Sequence, residues 1–400
     1  MANPTHKALT AEPIRRIDKL GAILLPIILL GLFAEPFALS RANRIVAAQP
    51  VLLFDALPAW QAGGAMAGIV LAGLMLILPT RTTLRLSLAS LAIAVLTLLL
   101  GQAAANLLPE ANRYARVSPG GGYWLMLFGF SIALADSIAR LRLGPGRRIG
   151  LLAVALLALA ALLASGIWDS VSILKEYDIR RAAFWRELRT HLLLAGGSLC
   201  AAAIVGIPLG ILCFRAPRLR AVILNSLNIV QTIPSIALFG LLIAPLAWIG
   251  RSVPGANAIG IAGIGIAPAF VALFGYSLLP MVANTVAGLE TVSRDARDAA
   301  RGMGMTVPQR LWQIEVPLAF PVILTGIRIV LVQNIGMAVI AGLIGGGGLG
   351  TFVFQGISQT ATDLVLLGAL PVVGMAFAAA IILDALVEMS ARGSVKGHAT

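Results

Sequence analysis

The sequence predicts an all-α polytopic membrane protein with about ten transmembrane helices. Three observations carry that reading. Hydrophobic residues make up 59% of the 400-residue chain and charged residues 12%, whereas soluble domains average about 45–50% apolar and about 25% charged. Apolar runs near the roughly 20 residues needed to span a bilayer recur along the chain. The basic residues fall in short gaps between those runs, a distribution that orients a membrane protein.

Taken in order, the predicted spans are Leu20–Ala34, Gly63–Leu78, Leu86–Leu107, Gly122–Ile138, Ile149–Ile167, His191–Phe214, Ala221–Leu246, Ile264–Val286, Val322–Ile344 and Leu364–Val387. The first follows Lys7, Arg15, Arg16 and Lys19, as a signal peptide would. Glu35-Pro36 follows it, however, with no small-residue cleavage site and with more spans beyond, so it reads as an uncleaved helix. Placing the N-terminus inside puts nineteen Lys and Arg residues in inside segments and ten in outside ones, with Arg328 inside a span. That bias predicts both termini on the cytoplasmic side. Arg328 lies seven residues past Pro321 and is expected to snorkel to the inner surface.

Four regions follow. Residues 1–167 carry about five accessory helices, mostly Leu/Ala runs. Residues 168–190 form a linker with both charge signs and the aromatics Tyr177, Phe184 and Trp185, read as an amphipathic helix at the outer interface leading into the sixth span. Residues 191–391 form a five-helix core rich in Gly, Pro, Asn and Gln, where function is expected, and 392–400 are a cytoplasmic tail. The net charge of +13 would suggest nucleic acid in a soluble protein. Here its distribution fits an anionic lipid surface, and no nucleic-acid partner is expected. Cys200, Cys213, His6, His191 and His398 form no ligand cluster, so neither a metal nor a catalytic constellation is expected.

The segment from Glu290 to Pro321 is the most informative. Ala296, Ala299, Ala300 and Met303 make an i, i+3, i+4, i+7 apolar face, covered elsewhere by Arg294, Asp295, Arg297, Asp298 and Arg301. Gly302 and Gly304 end that helix. Thr306 and Gln309 have capping-box spacing for a second short helix through about Ile314, which Pro317 stops. The expectation is a helix–turn–helix elbow whose small-residue face stays exposed unless a partner covers it.

This segment resembles the EAA loop of ABC importer permeases. It has an acidic-Ala-Ala triplet (Asp298, Ala299, Ala300), then Gly304, Ile314, Val316 and Pro317 at the family's spacing. Asp298 stands where the family has Glu, and Val316 where it has Leu. The loop also falls between the third and fourth of the last five spans, as the family's does. The resemblance runs from about Phe184 to Ala391 and includes Gly206–Gly210, Gln231–Ser235 and Gly345–Gly350. Those three stretches look most like glycine betaine and choline permeases, and the extra N-terminal helices look like the longer Yeh-type osmoprotectant branch. The resemblance implies a MetI-like core whose loop (Asp298, Ala299, Ala300, Met303, Gly304, Ile314, Pro317) docks on a cytoplasmic ATPase. It implies a location in the bacterial inner membrane.

The chain has no GxxxxGK[ST] phosphate loop. No cofactor is expected on it; ATP and Mg would sit on the partner ATPase. A separate solute-binding protein and a second permease copy or sister permease complete the expected partners, with membrane lipid around them. Within the core, Gln231, Pro234, Ser235, Asn284 and Asn334 either line the translocation path or bond helix to helix. Gly345–Gly348 ends the ninth span, as a gating hinge or a plain stop. Asp136, Asp384 and Glu388 lie near span ends, which weighs against the competing reading of an ion-coupled secondary transporter. A membrane enzyme lacks a plausible side-chain cluster, and an ABC permease for another small solute, such as an amino acid, remains an alternative.

Overall fold

The computed structural model describes residues 17–44, 46–109, 112 and 114–396, with side chains as far as Ala391. Lys7, Arg15, Arg16, His6, Arg113, His398 and the side chains of the 392–400 tail lie outside the described residues. The chain divides into a first unit, through Leu143 plus Ala158–Lys175, and a second, Gly144–Leu157 plus Glu176 onward.

In the first unit, Asp18 caps helix α1 (Lys19–Phe33), accepting the Gly21 N–H at 3.1 Å. Strands β1 (Ala38–Arg41) and β2 (Gln49–Val51) follow, then α2 (Leu53–Ala56), α3 (Ala59–Ile77), α4 (Thr82–Leu107), β3 (Arg116–Pro119) and α5 (Gly121–Leu141). The strands form an antiparallel sheet ordered β2-β1-β3, with Ala38 opposite both Val51 and Pro119. Strands of three or four residues are too short to show a period-2 pattern, which is why the sheet was not anticipated. Small residues bring the helices into backbone contact. A Cβ on Gly21 would sit 1.9 Å from Leu76 O, and one on Gly122 2.3 Å from Gly31 O. Such close approach holds helices together in lipid, where apolar burial between helices supplies little drive. Leu24, Ile28, Leu96, Met126 and Phe130 fill the core between them.

The division between units falls within α6 (Pro145–Ala164) and near the start of α7 (Ser172–Arg215). Helix α7 runs 44 residues with one non-helical position, Arg180. The stretch read as an amphipathic helix leading into the sixth span is joined to that span across a kink at Arg180. Then come α8 (Pro217–Thr232), α9 (Ser235–Leu241), α10 (Ile243–Ser252), α11 (Ile266–Thr291), α12 (Arg294–Gly302), α13 (Val307–Arg310), α14 (Val316–Met337), a 3₁₀ stretch Ala338–Ile344, α15 (Gly350–Ser358) and α16 (Thr362–Lys396).

All ten predicted spans are helical. Among the described residues nine helical segments are long and apolar enough to cross a membrane, and α1, at 15 residues, is shorter. Two predicted elements are corrected. The seventh span is not continuous: Ile233 (ψ 127°) and Pro234 (ψ 135°) are extended and part α8 from α9, and α9 gives way to α10 at Leu242. Proline has no N–H to donate and pushes the residue before it out of the helical region. Conversely, Pro317 stops nothing. Helix α13 passes through a π turn, Leu311–Glu315, in which Val316 N–H donates to Leu311 O, and continues into α14. The wide turn resets the helix, so Pro317 sits in the first turn of α14, where its missing N–H costs little. Helix α15 was not anticipated either.

Candidate functional site

Two sites within the second unit stand out: the elbow formed by α12, α13 and the π turn, and a cleft at the break between α8 and α9.

Each turn of the elbow is fixed by its own sequence. Ser293 caps α12, accepting the Ala296 N–H at 3.2 Å. At the other end Gly304 takes a left-handed φ of +79°. Its N–H donates to Arg301 O at 2.9 Å, and Met305 N–H to Ala300 O at 3.1 Å. This is the Schellman arrangement, which glycine adopts at little steric cost. Thr306 and Gln309 form the predicted capping box, with Gln309 Oε1 accepting the Thr306 N–H at 2.8 Å.

The alanine face is oriented differently from expectation. Ala300 is buried within the chain, and Ala296 packs against the cluster of Leu289, Val292, Ala319 and Ile323. Ala299 stays exposed, with Met303 (70% exposed), Val307 and Trp312 (62%). Part of the small-residue face thus seats the elbow on its own bundle, and larger apolar side chains project from it. Asp298 is exposed and pairs with Arg301 at 3.2 Å; Ile314 is half-buried and Pro317 exposed.

The seat contains a feature that sequence reasoning missed. Glu315, 1% exposed, is ringed by three arginines. Arg215 at the end of α7 approaches at 2.7 Å, Arg310 of α13 at 3.2 Å and Arg297 of α12 at 3.6 Å. Arg297 also donates to Leu289 O at 2.5 Å and lies over the Phe214 ring. One buried carboxylate therefore ties both arms of the elbow to the span before α8. Its only sequence signal is an isolated acid among the apolar residues entering α14. Arg220 of α8 and Glu290 of α11 form a further pair.

The cleft has a volume of about 350 Å³, and Gln231, Thr232, Pro234, Ser235, Tyr276 and Gln333 line it. Gln231 Nε2 donates to Tyr276 O at 2.8 Å, and the Tyr276 hydroxyl donates to Ile233 O. These bonds tie the broken helix to α11. Three of the five predicted path residues, Gln231, Pro234 and Ser235, thus meet in one place. The other two lie elsewhere. Asn334 is fully buried and donates to Ser198 Oγ at 2.8 Å and Ser277 Oγ at 2.9 Å, joining α7, α11 and α14. Asn284 donates to Pro280 O on its own helix and packs where a Cβ on Gly326 would meet it at 2.7 Å.

Arg328 does not simply snorkel. It pairs with Asp384 of α16 at 2.6 Å, and Arg148 of α6 pairs with Asp384 at 2.5 Å and with Glu388. The 3₁₀ stretch ends at Gly345, as expected of the ninth span, and the following glycines pack on α7, where Glu187 accepts the Gly348 N–H at 2.8 Å.

Many spanning helices, a polar cleft at a broken helix and a rigidly seated projecting elbow define a membrane transport component. A family model described as the binding-protein-dependent transport system inner membrane component matches residues 206–395, and one described as the ABC transporter permease YehY N-terminal domain matches 18–174. The osmoprotectant import permease protein OsmW of Salmonella typhimurium is 43% identical over 214 residues, covering 53% of this chain and 93% of that protein. The choline transport system permease protein OpuBB of Bacillus subtilis is 35% identical, covering 47% of this chain and 78% of that protein. A chain of the MetNI methionine ABC transporter is 22% identical with a TM-score of 0.44, covering 52% of this chain and 97% of that one. The chain belongs to the permeases of ABC importers, the inner-membrane components of binding-protein-dependent transport systems.

Proposed function

We propose that the chain forms the translocation path for a small osmoprotectant such as glycine betaine or choline, driven by ATP hydrolysis in a separate subunit. The elbow carries this reading. Capped at both arms and anchored by Glu315, it presents Met303, Val307 and Trp312 outward, an apolar projection suited to a groove on an ATPase. The names of the relatives, an osmoprotectant permease and a choline permease, support the cargo class. ATP and Mg belong to the ATPase, and a solute-binding protein delivers the cargo. A second permease, the same chain or a sister, encloses the path. The basic bias of the segments read as inside supports a cytoplasmic placement of both termini and the elbow. Asp384 and Glu388 are paired with Arg148 and Arg328, which favours ATP over an ion gradient as the energy source.

The test is reconstitution in proteoliposomes with a cognate ATPase and solute-binding protein. Choline or glycine betaine uptake that requires all three components and ATP is expected. Uptake by the lone chain driven by a proton gradient overturns the proposal.

A further inference from the structure

We infer that the cleft at the α8–α9 break is a transit site for a quaternary-ammonium cation, held by the carbonyl end of α8. The inference rests on the proposed quaternary-amine cargo and deepens it. The last carbonyls of any helix lack intrahelical partners and together carry a partial negative charge. In α8 the Thr232 hydroxyl donates to Ile229 O, Ile233 N–H donates to Val230 O, and Tyr276 caps Ile233 O. The extended backbone at Ile233 and Pro234 carries the chain away before α9 can supply donors to Gln231 O and Thr232 O. Gln231 and Thr232 both line the cleft.

Chemistry and depth agree with this. Among the described residues the cleft lining holds no charged side chain; amide and hydroxyl groups line it together with the Met337 thioether and the apolar Ile233 and Pro234. Arg215, Arg218 and Arg220 lie around the start of α8. Gln231 comes 14 residues after Pro217, about 21 Å along the helix at about 1.5 Å per residue. That depth falls inside a hydrocarbon layer roughly 30 Å thick. A bare cation there needs oxygen dipoles, and half-helix C-termini supply them in other transporters. A fixed carboxylate would hold a cation tightly; neutral dipoles bind loosely enough to release it, as passage requires.

The experiment uses the complete transporter in proteoliposomes, with choline as the probe and ATP hydrolysis stimulated by the loaded binding protein as the measure of assembly. Gln333→Lys puts a like charge in the cleft and is expected to cut choline uptake at least about ten-fold at low effective dielectric, with stimulated ATP hydrolysis retained. Gln333→Glu is expected to lower the KM for choline. Gln359→Lys, which adds the same charge at an exposed turn outside the cleft, controls for charge alone. Choline uptake undiminished in Gln333→Lys, or equal loss with both charge signs, overturns the cation site and leaves the proposed function standing. Wild-type transporter that takes up no quaternary amine overturns both.

Discussion

Glu315 shows how much can depend on one side chain. Its carboxylate is buried while its arginine partners come from three separate elements, so removing the charge leaves cations facing one another at the seat of the elbow. Breaking a buried pair costs about 3–5 kcal/mol. Glu315→Gln is therefore expected to lower thermal stability in detergent and to raise the ATP consumed per solute transported; an unchanged ratio would show that the elbow needs no such anchor. Gly304 separates backbone from contact effects, because nothing lies within 4 Å of a Cβ placed there. Gly304→Ala should cost about 1–2 kcal/mol for its left-handed φ. Gly304→Pro forbids that φ and deletes the N–H given to Arg301, and Ala300→Leu overfills a buried position. Both are expected to uncouple hydrolysis from uptake while the chain still inserts, and wild-type coupling in both would remove the elbow from the mechanism. Asp18 gives a pH signature in the first unit. Burial works to raise its pKa, but the Gly21 N–H and the Arg85 and Arg140 guanidiniums outweigh it and hold the carboxyl below its ordinary 3.8. A depressed folded pKa contributes stability above the unfolded value and loses it as pH falls through the folded one. Melting temperature should therefore drop below about pH 4, near the ordinary carboxylate value, and Asp18→Asn should flatten that drop.

At the scale of elements, proline had two opposite outcomes. Pro234 breaks its span because the residue before it turns extended and the helix restarts one residue later. Pro317 is absorbed because a π turn resets the hydrogen-bond register just before it. Proline content alone does not distinguish these cases; the backbone on either side does. Pro234→Ala restores the missing N–H and is expected to favour a continuous helix, narrow the cleft and reduce solute uptake several-fold at unchanged insertion. Uptake equal to wild type would mean that the break is dispensable. The elbow was legible in sequence because caps, glycine turns and capping boxes are local chemistry. The roles of the asparagines were not. Asn284 and Asn334 look like Gln231 in one dimension, and only helix packing shows that Asn334 bridges Ser198 and Ser277 while Gln231 reaches a cleft.

At the scale of the molecule, the chain is longer than the relatives it matches: 53% of it covers 93% of the Salmonella permease. That relative thus matches only about half of this chain, while a separate N-terminal family model matches residues 18–174. A chain beginning at Gly144, which keeps Arg148 for Asp384 and Glu388, is expected to insert and to support ATP-driven uptake with its partners. Loss of uptake with normal insertion would assign the first unit a direct part in transport. The sequence by itself determined the membrane class, the ten helical regions, the elbow with its caps and the family likeness. Each of these depends on composition, hydrophobic run length or residues within a few positions of one another. Tertiary structure decided which alanines face inward, how Arg328 is neutralised and which polar residues share a cleft. Those outcomes depend on side chains far apart in sequence, brought together only when helices buried in an apolar medium satisfy their polar groups against each other.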